Sequence, residues 1–248
     1  MLYCSTERTL ISLTKKKWIA LIALMLCVLS AVVYVNDYYR ADWEMIGPYP
    51  STPGVRVEER DDGLAFIPEN TEAGFLFYPG GKVEYKAYIP LMEALAEQNV
   101  LCVLLEMPLN LAVLDVNAAE GVAEDYAEVD RWYIGGHSLG GSMAASYAAE
   151  HSEELEGLVL LAAYSTVDLK ESGLEILSLY GSEDGVLNME KYEKYRDNLS
   201  KVIESEISGG NHAGFGKYGA QEGDGTATIT NEEQNAETAA WIVTLMEE

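Results

Sequence analysis

Five stretches of this chain are the length of a strand and dominated by apolar residues. They are "AGFLFYP" (73–79), "VLCVLLEMP" (100–108), "RWYIGG" (131–136), "LEGLVLLAAY" (155–164) and "LEILSLYG" (174–181). A strand with one wet face alternates apolar and polar residues; a near-continuous apolar run is covered on both faces. Segments of helical period separate these runs. Tyr88, Leu91, Met92 and Leu95 mark one helix face, and Ala119, Val122, Ala123 and Tyr126 another. Residues 139–150 form a third helix, and Met189, Tyr192, Tyr195 and Leu199 stripe a fourth. A last strand, "KVIESEI" (201–207), precedes a closing helix over 231–246, with Glu232 and Glu233 at its positive end. This alternation predicts an α/β fold with a mostly parallel, doubly wound sheet. "VRVEERDDGLAFIP" adds an antiparallel hairpin before it, turning around Asp62-Gly63. Ligands of such sheets bind at the carboxyl ends of the strands.

The chain has 248 residues, enough for one sizeable domain. Its N-terminus does not belong to the alternating pattern. Residues 18–35, "WIALIALMLCVLSAVVYV", carry no charge. As a helix they rise about 27 Å, close to a hydrocarbon core of about 30 Å. The expected division is a cytoplasmic segment 1–17, a transmembrane helix 18–35, a juxtamembrane linker 36–53 and a domain 54–248. Arg8, Lys15, Lys16 and Lys17 precede the span and only Arg40 closely follows it. That asymmetry puts the N-terminus in the cytoplasm and the domain outside. A cleaved signal peptide, which would leave the domain secreted, is the competing reading. The run exceeds the usual apolar region of about 7–15 residues, and no A-x-A-like site follows it.

Residues 41–248 hold 11 basic and 39 acidic residues, a net charge of −28. Such a domain repels nucleic acid, so the membrane is contacted through the helix and no nucleic-acid partner is expected. Only Cys102 of the three cysteines belongs to the domain, so no disulfide forms within it. Cys4, before the span, is a candidate for acylation. No Cys/His cluster has metal-ligand spacing, and no cofactor is expected.

Chemistry concentrates at "GGHSLGG" (135–141). Gly136 to Gly140 fits G-x-S-x-G, and the flanks supply the strand, sharp turn and helix the motif requires. Ser138 then stands exposed at a helix N-terminus, where developing negative charge is favoured. A Gly-rich structural corner is the plainer alternative. Ala144, Ala145, Ala148 and Ala149 let the following helix pack closely on the sheet.

A serine nucleophile needs a base, and the chain offers three histidines. His137 adjoins the serine and its side chain points elsewhere. His151 lies a dozen residues along the helix, about 18 Å away. His212, in "GGNHAGFG" after the last strand, is left as the base. The acid that orients it is Asp184 in "LYGSEDGVL", with Glu183 and Asp168 as rivals. The order Ser138, Asp184, His212 is the one this kind of fold requires; Asp224 follows the histidine and breaks it. The oxyanion requires two aimed N–H groups. Leu139, directly after the serine, supplies one. Gly81, in the loop after the first buried strand, supplies the other.

These residues resemble the alpha/beta hydrolase superfamily. "FYPGGKVEYKAYIPLMEALAE", "GGHSLGGSMAA", "LYGSEDG" and "GGNHAGFGKYG" match it in order, over roughly residues 55–246. The small dienelactone-hydrolase-like branch, the fold-5 group, is the most similar. That branch uses a cysteine nucleophile where this chain has Ser138, and a His-Gly oxyanion loop where this chain has Pro79-Gly80. The resemblance implies a sheet of the alpha/beta hydrolase type. About ten residues separate "LVLLAAY" from "LEILSLYG", so no large cap domain is expected and the site should be open. Met107, Asn110, Leu111, Tyr164 and Phe215 are candidate pocket walls, or else ordinary core and loop residues. The expected function is a membrane-anchored serine hydrolase cleaving carboxylic esters with small or protruding acyl groups. An acyltransferase with the same triad and a silent binding domain are the alternatives.

Overall fold

Eight strands form one sheet: β1 (Val55–Arg60), β2 (Gly63–Pro68), β3 (Ala73–Tyr78), β4 (Val100–Leu105), β5 (Trp132–His137), β6 (Gly157–Leu161), β7 (Glu175–Gly181) and β8 (Val202–Ile207). Their order across the sheet is β1-β2-β4-β3-β5-β6-β7-β8. β2 runs antiparallel to β1 and β4, and every pairing from β3 onward is parallel. The computed structural model describes residues 3–49 and 52–247, with side chains from Lys16 onward. Met1, Leu2, the Cys4 side chain and residues 50–51 of the expected linker lie outside the described residues.

Burial explains why the runs are apolar. β3, β4, β5 and β6 are buried at every position. Alternate residues serve two cores. Phe75, Phe77, Cys102, Leu104, Val159 and Leu161 join the core that includes α3 (Ile89–Ala96) and the closing helix α6 (Asn231–Glu247). Leu76, Tyr78, Leu101, Val103, Ile134, Leu158 and Leu160 join the core that includes α4 (Leu139–Glu150). Cys102 is buried and carries a free thiol.

The segment between β4 and β5 departs from expectation. Ala119, Val122 and Tyr126 are buried, yet no α-helix forms there; the chain makes turns and three short 3-10 turns, Pro108–Asn110, Ala112–Leu114 and Ala123–Asp125. Gly121 takes φ 76°, a left-handed conformation that ends any helix at that point. Tyr78 holds this crossover instead. Its buried hydroxyl donates to the Val116 carbonyl at 2.7 Å and accepts the Ala119 N–H at 3.0 Å. Arg60 adds a second tether, reaching Tyr126 Oη at 3.1 Å and Asp125 at 3.0 Å.

Two units make up the chain, Met1–Tyr38 and Tyr39–Glu248. The first is the helix α1 (Tyr3–Asn36). Within it Lys16–Asn36 has mean hydropathy 2.7 and none of it is buried. That is long and apolar enough to cross a membrane, and a signal sequence has the same character.

The second unit begins inside the expected linker. Tyr39 forms a parallel bridge with Val83: its N–H donates to the Lys82 carbonyl at 2.8 Å, and its carbonyl accepts the Glu84 N–H at 2.9 Å. A single helical turn, α2 (Trp43–Ile46), follows, capped by Asp42. Lys217, almost fully buried, donates to the Met45 carbonyl and fixes this segment. Residues 39–49 are therefore folded onto the sheet-bearing unit, where a juxtamembrane linker is expected. Tyr39, Ile46 and Tyr49 supply the apolar surface that holds them there.

Candidate active site

Register brings the candidate residues to one edge. Tyr78 of β3 pairs with Gly136 of β5, and His137 pairs with Leu161 of β6. The residues after these three strands, Pro79-Gly80-Gly81, Ser138 and Ala162, leave the sheet side by side. Leu161 pairs with Leu179, and Gly181 of β7 with Ile207 of β8, so the loops carrying Asp184 and His212 leave the same edge.

Ser138 is the N-cap of α4 and takes φ 53°, ψ −120°. A non-glycine residue there is strained and persists only where its surroundings enforce it. Two glycines allow the turn. A Cβ on Gly140 would lie 2.2 Å from the Pro79 carbonyl oxygen, and one on Gly136 would lie 2.6 Å from that of Tyr78. The helix start is pressed against the end of β3, and no larger residue fits at either position.

His212 and Asp184 are joined by a 2.8 Å hydrogen bond between Nδ1 and Oδ2, both side chains 2% exposed. The other oxygen of Asp184 accepts the N–H groups of Val186 and Leu187, each at 2.8 Å. The carboxylate is thus fixed on both sides. His212 Nε2 is buried and has no partner among the described residues. Ser138 and His212 line one cleft of about 240 Å³, with Leu139, Ser142, Ala162, Ala163, Tyr164, Val186, Leu187 and Asn188.

The rival groups lie elsewhere. His151 caps the far end of α4 and stacks on Tyr147. Glu183 is exposed and accepts from Ser182 Oγ; Asp168 is exposed and caps the Lys170 N–H. Of the five candidate walls only Tyr164 lines the cleft. Met107 is turned into the core on the α4 side, and Phe215 is fully buried with its ring 5.5 Å from that of His137. Asn110 and Leu111 lie in the crossover loop, where the Asn110 carbonyl accepts the Lys82 N–H at 2.7 Å. Apolar residues near a strand end serve core or cavity equally well, so composition did not separate these cases.

In the loop after β3, Gly80 donates its N–H to the Tyr88 hydroxyl at 3.0 Å. That removes Gly80 as a donor for ligands. Gly81 lies against Leu139, whose Cδ2 would be 2.9 Å from a Cβ added there. Neither the Gly81 N–H nor the Leu139 N–H meets an acceptor among the described residues.

His137 has a place that the sequence does not reveal. Its ring is buried, 4.6 Å from the His212 ring centroid, and Nδ1 lies 2.8 Å from the Tyr88 hydroxyl. With Gly80 donating to the Tyr88 oxygen, the Tyr88 proton can go to His137 Nδ1, which leaves the ring hydrogen on Nε2. Burial, and after it the nearby His212, hold the His137 pKa well below its usual 6.5. It is a neutral packing group beneath the serine turn.

A family model described as the alpha/beta hydrolase family matches residues 74–236. The chain belongs to the alpha/beta hydrolase family and is a hydrolase by that membership. Solved structures share the fold. TT1662 from Thermus thermophilus is 18% identical with a TM-score of 0.59, covering 78% of this chain and 99% of its own. A predicted CIB-like hydrolase from Thermoplasma acidophilum is 14% identical with a TM-score of 0.54, covering 77% and 100%. Est1E from Butyrivibrio proteoclasticus is 14% identical with a TM-score of 0.56, covering 79% and 100%, and a second structure of it holds ferulic acid. No curated protein matches the sequence at a significant level.

Proposed function

We propose that this chain is a serine esterase, anchored by its N-terminal helix with the hydrolase unit outside the cytoplasm, acting on small carboxylic esters. The observation that carries the reading is the shared cleft of Ser138 and His212, with Asp184 bonded to the far side of the imidazole. His137 Nε2 and His212 Nε2 are both buried without a partner among the described residues, and of the two only His212 lines the cleft with Ser138, which favours it as the base.

Ser138 Oγ attacks the ester carbonyl carbon as its proton passes to His212 Nε2. The carbonyl oxygen becomes an oxyanion held by the Gly81 and Leu139 N–H groups. The tetrahedral intermediate collapses, the alcohol leaves with the proton from His212, and an acyl-serine remains. Water then gives a proton to His212 and attacks the acyl carbon, and the carboxylic acid leaves as Ser138 recovers its proton. Asp184 keeps the imidazole in the tautomer with its hydrogen on Nδ1 and stabilises the imidazolium.

Cleft size supports a small acyl group. About 240 Å³ falls below the usual range of about 300–1,000 Å³ for ligand pockets. Its apolar walls are Leu139, Ala162, Ala163, Val186 and Leu187, with one aromatic wall, Tyr164, stacked on Tyr195. Est1E binds ferulic acid, so a feruloyl ester is the aromatic substrate to set beside acetate. The experiment is hydrolysis of p-nitrophenyl acetate, butyrate and octanoate by wild type and Ser138→Ala. The reading predicts a preference for acetate or butyrate and loss of all three activities in the variant. Wild-type rates in Ser138→Ala contradict it.

A further inference from the structure

Asp224 stands in "EGDG" (222–225), after the histidine in sequence, and so outside the expected order of catalytic groups. Its carboxylate accepts four backbone N–H groups. Oδ1 takes those of Gly185 at 3.1 Å, His212 at 3.2 Å and Gly225 at 2.9 Å; Oδ2 takes that of Ala213 at 2.8 Å. Gly185 directly follows Asp184, and His212 and Ala213 belong to the histidine loop. One carboxylate thus holds the acid loop and the histidine loop at the same time.

The three loops nest at backbone distance. A Cβ on Gly185 would lie 2.5 Å from the Gly223 carbonyl oxygen, and one on Gly225 would lie 2.0 Å from that of Glu183. Asn211 Nδ2 donates to the Gly225 carbonyl at 2.8 Å and closes the same contact. The histidine loop itself is Gly-rich, with Gly209, Gly210, Gly214 and Gly216 around His212, so its backbone needs an outside restraint. Hydrogen bonds to a charged acceptor are the strong ones.

We propose that Asp224 is the positioning residue of the catalytic pair: it sets where His212 stands relative to Asp184 through their backbones, independently of the bond between the side chains. This rests on the proposed roles of Ser138, Asp184 and His212. Losing the restraint lets the imidazole move with its loop, and a shift of about 1 Å in a catalytic group costs about 100-fold in rate.

The test uses the full-length protein and p-nitrophenyl acetate. Asp224→Ala should lower kcat about 100-fold and leave KM within about threefold of wild type, because no bond to substrate is removed. Asp224→Asn keeps the shape and one acceptor oxygen and should lose only about tenfold, since part of the restraint survives. Both variants are then made in the His212→Ala background, whose residual rate comes from the oxyanion site and binding. There Asp224→Ala should cost nothing further in rate, while its drop in thermal midpoint stays the same in both backgrounds. A structural role alone would lower the rate equally in the two backgrounds. That result, or a folded Asp224→Ala with kcat within twofold of wild type, overturns the proposal. If Asp224→Ala does not fold, Asp224→Asn decides by the same two comparisons. Wild-type activity in Ser138→Ala or His212→Ala is a different outcome, in which the catalytic reading falls and this one with it. Full activity loss in those two with none in the Asp224 variants overturns the positioning role alone.

Discussion

The Tyr88 hydroxyl and His137 Nδ1 are hydrogen-bonded at 2.8 Å beneath the serine turn, both side chains fully buried. The same hydroxyl accepts the Gly80 N–H. One phenol oxygen therefore links the loop after β3 to His137, the last residue of β5. It leaves the N–H of Gly81, the residue after Gly80, as the one free for the proposed oxyanion role.

Tyr88→Phe removes that link and leaves a buried N–H and a buried ring nitrogen unpaired. Unsatisfied buried groups cost about 1–3 kcal/mol each. We expect chemical denaturation to report a loss of at least about 1 kcal/mol. We also expect kcat for p-nitrophenyl acetate to fall about tenfold, because the proposed oxyanion donor, Gly81, is less well aimed. Unchanged stability and rate would mean the bond is incidental.

His137 makes stability depend on pH. Its folded pKa is held well below 6.5 by burial and by His212, whereas in the unfolded chain it titrates near 6.5. Below pH 6.5 the unfolded state binds a proton that the folded state does not. Unfolding is then favoured as pH falls, and this group's contribution is lost at up to about 1.4 kcal/mol per pH unit. Above pH 6.5 the contribution is constant. Denaturation at pH 7, 6 and 5 should show a slope that is shallower by this amount in His137→Phe. Equal slopes would place the proton uptake on another group.

Ser138 is strained, and strain at such a position costs about 1–3 kcal/mol. Glycine escapes it while alanine does not. Ser138→Gly should therefore be as stable as Ser138→Ala or about 1 kcal/mol more stable, although glycine ordinarily costs more unfolded-state entropy. Both should be inactive. A Ser138→Gly variant that melts well below Ser138→Ala would contradict the strain.

Gly140→Ala tests the close approach on which the turn depends. The added Cβ meets two backbone oxygens, Pro79 at 2.2 Å and Tyr78 at 2.3 Å, and neither can swing aside. Overpacking of this kind costs about 1–3 kcal/mol, and the shift falls on the loop that precedes Gly81. The variant should lose both stability and rate; a wild-type melting curve would refute the contact.

The parallel sheet is legible in the sequence because β3 to β6 are covered on both faces, and continuous apolar runs report that directly. The candidate triad is legible because so few histidines compete. The crossover between β4 and β5 is not. Ala119, Val122 and Tyr126 have the spacing of a helix face, but Gly121 and the Tyr78 hydroxyl replace helix with tethered turns. Asp224 is hidden for another reason. It acts on backbone N–H groups from loops some 12 and 39 residues away, and such groups have no side-chain signature. Its flanking glycines, Gly223 and Gly225, are the only trace in the sequence. Residues 39–49 read as linker because their contacts, Tyr39 with Val83 and Met45 with Lys217, join distant parts of the chain.

The most direct measurement is covalent labelling of the full-length protein with a fluorophosphonate, followed by peptide mapping. An activated serine reacts with this reagent and an ordinary one does not. The account predicts a single adduct on Ser138, formed by wild type and absent in His212→Ala, with esterase activity lost in step with labelling. An active, folded protein that stays unlabelled at Ser138, or carries the adduct on another residue, would contradict it.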